Sequence, residues 1–278
     1  MKQLSFSTTD RHEETFAGFN IPYKSKSSRV KHEIALLAKY FLIILSFHAF
    51  PLNGQISLDL ETGAIGPGYN NVRIPGNQGT LFSLKDDLIS KTEFFFRVRV
   101  NYSMKSRHTL SLLFAPLETV SKGNVPQTIL FEGVTFPANE DITGTYKFNS
   151  YRLTYRYEIV LKPKFELGLG FTAKIRDAKI SLVSSGSESG KANVGFVPIV
   201  NFRMLLKPSE KIGILFEGDA LAAPQGRAED VLVALTYRAS DRFGFKAGYR
   251  LLEGGADNDE VYSFALFNYA SVGLFIFL

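Results

Sequence analysis

At 278 residues the chain has room for one large all-β domain or two ordinary ones, and 45% hydrophobic residues with a mean hydropathy near zero exclude neither. It contains no Cys, which excludes disulfides, thiolate metal sites, a cysteine nucleophile and a lipid-modified N-terminal Cys. The formal charge of +5 comes without a Lys/Arg block interleaved with aromatics, so a nucleic-acid partner is not expected.

Residues 1–29 are polar, rich in Ser and Thr, and unlike the start of a targeting segment. They are expected to be an upstream extension set by start-codon choice, with translation beginning near Val30. Residues 30–54 read as a signal peptide: Arg29, Lys31 and His32 precede an apolar run over 34–50, and the small Gly54 marks a cut before Gln55. The alternative, a membrane anchor, is short for a bilayer and carries Lys39 inside it. No second long apolar segment follows, so a membrane crossing by the remaining domain, residues 55–278, has to use strands.

From residue 55 onward, runs of alternating apolar and polar residues are separated by turn formers, which predicts strands. The first covers 56–65. The second, 93–104, sets Phe94, Phe96, Val98, Val100 and Tyr102 against Glu93, Phe95, Arg97, Arg99, Asn101 and Ser103. A short third follows at 110–117. The fourth, 148–160, sets Tyr151, Leu153, Tyr155, Tyr157 and Ile159 against Arg152, Arg156 and Glu158, and the fifth, 165–176, sets Leu169, Phe171 and Ile175 against Glu166, Lys174 and Arg176. The same division recurs at 194–206, 212–220, 230–238 and 242–252. A helix would scatter these arginines around its circumference, whereas a strand collects them on one side. Short turns at 104–108, 161–164, 207–211 and 240–242 alternate with longer polar connections at 67–91, 120–145, 180–191, 222–229 and 253–260. The last strand, 261–278, is apolar to the final residue, and at a chain end such an edge needs a partner.

Ten strands follow, with both ends on the short-turn side; eight is the alternative, because the first strand is rich in Gly and the third is short and ends near Pro116. With its split faces, alternating connections and apolar closing strand, the region 55–278 resembles the small outer-membrane β-barrels of Gram-negative bacteria. The closing strand departs from the usual pattern, with Phe277 penultimate and Leu278 last. The resemblance implies an all-β fold, a closed antiparallel up-and-down transmembrane barrel in the cell outer membrane. It implies contact with outer-membrane lipid and lipopolysaccharide, and engagement of the barrel-assembly machinery through the C-terminal strand. Oligomeric state is left open.

If the apolar faces meet lipid, the inward faces carry Glu93, Arg97, Arg99, Arg152, Arg156, Glu158, Glu166, Lys174, Arg176, Arg203, Glu217, Asp219, Arg238, Lys246 and Arg250. The expected lumen is a charge network that plugs a narrow barrel. The competing expectation is a cationic passage favouring anions, since ten of these residues are basic and five acidic. Catalysis is not expected: the one His after residue 54 is His108, in a turn on the periplasmic side, and Glu217 with Asp219 offers at most an acid pair. The acidic connection 253–260 lacks EF-hand spacing and reads as a solvated tip, with Ca²⁺ binding as the lesser reading. No cofactor is expected. The functional expectation is a non-enzymatic barrel that displays loops for envelope integrity, adhesion or ligand contact, with a small channel as the runner-up.

Overall fold

The computed structural model describes residues 54–224 and 226–278, so the expected N-terminal extension and, but for Gly54, the expected signal peptide lie outside the described residues. Among these, ten long strands close into a barrel: β1 (Gly54–Arg73), β4 (Glu93–Met104), β5 (His108–Ala115), β9 (Asp141–Lys162), β10 (Phe165–Val183), β11 (Glu188–Leu206), β12 (Ile212–Ala223), β13 (Gly226–Arg238), β14 (Phe243–Asp257) and β15 (Tyr262–Phe277). Each pairs antiparallel with the next, and β15 returns to β1 from Ser57↔Phe277 to Arg73↔Tyr262. This closure covers the exposed apolar edge that the last strand would otherwise present.

Five short strands complete the chain: β2 (Phe82–Ser83), β3 (Ile89–Ser90), β6 (Glu118–Asn124), β7 (Ile129–Phe131) and β8 (Val134–Phe136). Pro116, which has no N–H to donate, separates β5 from β6, and both pair with β9.

The period-two split of each strand decides its orientation. Phe94 is 91% exposed and Phe171 72%, whereas Arg97 is only 5% exposed. The apolar faces therefore form the outer wall and the charged faces the interior, as a bilayer demands and the reverse of a soluble lipid-carrying barrel.

Most of the connections expected to be long are strand instead. β10 and β11 run on to a four-residue turn at 184–187, and β14 and β15 to one at 258–261. Beyond the lipid band the outward face turns polar while inward residues such as Ile142, Tyr146, Ile180 and Leu182 are buried in the apolar cap, so the apolar-out pattern that marks the wall in sequence reverses while the backbone ladder continues. Outward polar pairs such as Lys147 with Asp177 (2.6 Å) mark this zone, and that hydrogen bond holds the Lys147 ammonium above its ordinary range. The acidic tip is a turn in which the Asn258 side chain accepts from the Glu260 and Val261 backbone N–H groups. Among the described residues no group of three or more His, Asp or Glu is placed to hold a metal ion.

The segments 74–92 and 125–140 fold into the barrel mouth at the end opposite Gly54 and Leu278. Ile74, Phe82, Leu84, Leu88, Ile129, Phe131 and Phe136 are buried there against Ile65, Phe95, Phe267 and Tyr269 from the strands. Burying each such side chain is worth about 1.5–3 kcal/mol. Sequence periodicity did not predict this apolar cap, because its residues come from segments with no regular period.

Candidate functional site

Below the apolar cap, charged inward residues of six strands meet in a belt, with hydrogen bonds added from β10 and β11. Asp230 of β13 is its centre, accepting hydrogen bonds from Arg97 Nη2 (2.9 Å) and Arg250 Nη1 (2.6 Å), with Arg152 Nη2 2.6 Å away. Arg250 also donates from Nε and Nη2 to the Glu61 carboxylate at 2.7 and 2.8 Å. Lys246 Nζ lies 2.9 Å from Glu61 and 2.8 Å from Asp59. Arg152 Nη1 donates to Asp219 (2.6 Å), which also accepts from Thr172 (2.6 Å) and Asn201 (2.9 Å). Strand pleating puts every second residue inside, and barrel closure carries these side chains to partners as much as 189 residues away in sequence.

A second tier sits nearer the short-turn end. Arg156 Nε donates to Glu158 (2.9 Å), while Arg203 Nη1 (3.0 Å) and Lys207 Nζ (2.5 Å) donate to Glu166. Glu217 lies 3.7 Å from Arg99 and 3.9 Å from Arg203, linking the tiers. Below them the lumen opens into a vestibule of about 810 Å³ lined in part by Arg99, Arg156, Glu158, Glu166, Arg203 and Glu217.

The structure thus gathers Arg97, Arg99, Arg152, Glu217, Asp219, Lys246 and Arg250 into one belt, with Lys174 buried beside it, and places Arg156, Glu158, Glu166 and Arg203 in the tier below. Arg238 does not join them. Its side chain is 52% exposed at the rim, 3.5 Å from Asp241, because the strand ends there and the turn acid is closer than any lumen carboxylate.

Three carboxylates that sequence reasoning left out of the lumen, Asp59, Glu61 and Asp230, are central to it. Their signal was present: Asp59 and Glu61 alternate with Leu58 and Leu60, and Asp230 stands two residues from the inward Leu232. With them included, Arg97, Arg99, Arg152, Arg156, Lys174, Arg203, Lys246 and Arg250 face Asp59, Glu61, Glu158, Glu166, Glu217, Asp219 and Asp230. With Lys207 of the second tier also counted, the basic excess expected of a passage for anions shrinks to two charges.

The arrangement suits a seal better than a reaction centre. Glu217 and Asp219 each face cations, so neither stands as a free acid or base. His108 begins β5 rather than sitting in a turn, and its Nδ1 is 2.8 Å from the Tyr155 hydroxyl at the short-turn end, remote from the opposite mouth.

No protein-family model matches the chain, and no curated protein sequence matches it. Solved structures do. The outer-membrane protease OmpT of Escherichia coli is 10% identical with a TM-score of 0.50, over 82% of this chain and 98% of that one. The attachment invasion locus protein Ail of Yersinia pestis, solved with a heparin analogue, is 12% identical with a TM-score of 0.39, over 82% and 100%. The Neisserial surface protein NspA is 16% identical with a TM-score of 0.31, over 80% and 96%. At such identities a likeness speaks for fold alone. Together with the lipid-facing wall and the closed ladder, it establishes that the described chain is a ten-stranded β-barrel of the outer-membrane type, and its place is the outer membrane.

Proposed function

We propose that the protein is a non-enzymatic outer-membrane barrel, sealed through its centre, whose rigid wall carries its extracellular end for envelope integrity, adhesion or ligand contact. The observation that carries this reading is the double barrier of apolar cap and paired belt, one above the other in the same lumen. An ion crossing it has to break several buried pairs or displace the cap, and either is costly. Among the described residues no histidine lies in the extracellular half, which offers no base for Ser-His or Asp-His hydrolysis there.

Planar-bilayer recording of the purified barrel tests the proposal. The expected result is no steady current for the wild-type chain. A steady anion-selective current that changes with Arg97→Glu or Arg152→Glu would establish the channel instead. A hydrolytic activity lost in Glu217→Gln would likewise overturn the non-enzymatic reading.

A further inference from the structure

The strand ladder is broken at two seams: β11 pairs with β12 only from Val200↔Ala220 to Leu206↔Ile214, leaving residues 188–199 unpaired on that side, and a second break lies between β4 and β5. β4 pairs with β5 only from Val98↔Phe114 to Met104↔His108, and the next pairing across this seam is β3 with β6, at Ser90↔Ser121 and Ile89↔Lys122. Between them, residues 91–97 face 115–120 with no ladder pairing. In register, Phe96 would stand opposite Pro116, whose missing N–H ends the run. Backbone left unpaired in a membrane wall is costly, so a gap kept at this height asks for an occupant or a use.

Its surroundings indicate which. The lips are aromatic and face lipid: Phe94 and Phe96 on one side, with Phe114 edge-on to Phe96 (5.9 Å) and stacked on Tyr151 (5.4 Å) on the other. Because Gly54, Leu278 and the short turns mark the periplasmic side, the gap lies in the outer-leaflet half. Directly behind it is a narrow recess with room for about one water molecule, lined by Ala115, Pro116 and Leu117 from one lip, Arg97 from the other, and Phe148 and Arg152 behind.

The recess ends near an unusual cation. Lys174 is 2% exposed, yet among the described residues no carboxylate lies within ion-pair distance of its ammonium, which rests over the Phe148 ring at 4.7 Å. Arg97 and Arg152 beside it are both committed to carboxylates, Arg152 being its direct cross-strand neighbour. A buried ammonium without a carboxylate in contact is costly, and the cost is relieved either by loss of its proton or by an anionic partner that reaches it.

We infer that the break between β4 and β5 is a lateral entrance from the outer leaflet for a single-chain anionic amphiphile, such as a fatty acid, whose head is held by Lys174 while its chain lies along the aromatic lips. Entry requires the Phe148 ring to swing aside, joining the recess to Lys174. The barrel stays closed to water along its axis, so this site is independent of the sealed-lumen proposal, and axial conductance does not test it.

The chain has no Cys, which permits a clean lock: Phe96→Cys with Pro116→Cys, oxidised to bridge the two lips. The probe is stearic acid carrying a nitroxide on its chain, added to the barrel in neutral maltoside micelles and followed by its immobilised spin signal, with its methyl ester as the uncharged control. The expected result is immobilisation of the acid and not of the ester, loss of binding in the oxidised pair, and its return on reduction of the same sample. Lys174→Met is expected to weaken binding about tenfold or more, and Lys174→Arg to retain it. Equal binding of acid and ester, unchanged binding in the oxidised pair or in Lys174→Met, or no binding by the wild-type barrel each overturns the inference.

Discussion

Asp230→Asn is expected to destabilise the folded barrel by about 3–5 kcal/mol, the largest effect of any single lumen substitution. The carboxylate is buried, and three guanidiniums converge on it from β4, β9 and β14. Removing its charge leaves Arg97 with no other carboxylate among its ion pairs and takes one of two from Arg152 and Arg250. Those cations stay buried with one carboxylate fewer, which is what makes breaking such a network costly. Urea unfolding in detergent, followed by the heat-modifiable shift on a gel because the chain has no Trp, measures the loss. Arg238→Ala, at the solvated rim, is expected to stay within about 0.5 kcal/mol of wild type. Equal effects from the two substitutions would show that the belt contributes nothing particular to stability.

The second large effect concerns the outer wall. Phe171→Arg places a cation in the middle of the apolar band on β10 and is expected to cost about 2–4 kcal/mol when the barrel folds into lipid vesicles. Val183→Arg, at the extracellular end of the same strand and on the same outward face, is expected to cost about 0–1 kcal/mol. The contrast depends on depth alone, since both positions are exposed and neither contributes to the belt. Were the wall to face water, both substitutions would be near neutral, and the lipid-facing assignment would fall.

The wall was legible in the sequence because each of its strands carries its own evidence. Residues 93–104 and 148–160 divide lipid-facing from inward side chains by strict alternation, a local property that needs no knowledge of the partner strand. The strand ends were less legible. Beyond the lipid band, at residues such as Asp177 and Lys179, outward positions turn polar and the apolar-out pattern reverses, although β10 continues to Val183.

The lumen divides in the same way. That Arg97, Arg152 and Lys246 point inward follows from period two, but which carboxylate each one meets does not. Arg250 finds Glu61 across 189 residues only because β14, β15 and β1 are adjacent in the closed ladder. The apolar cap, with Leu84, Leu88 and Phe131 at its heart, was hidden for a related reason: its segments have no period and acquire an interior only when the barrel supplies one.

By itself, then, the sequence determined the inside and outside of the wall and narrowed its strands to ten or eight, because alternation and turn residues act over a few neighbours; closure of the ladder settled ten. Tertiary structure alone decided that an apolar cap and a paired charge belt lie one above the other in the lumen, and that the seam beside Pro116 is left unpaired, because closure joins residues that the chain keeps far apart.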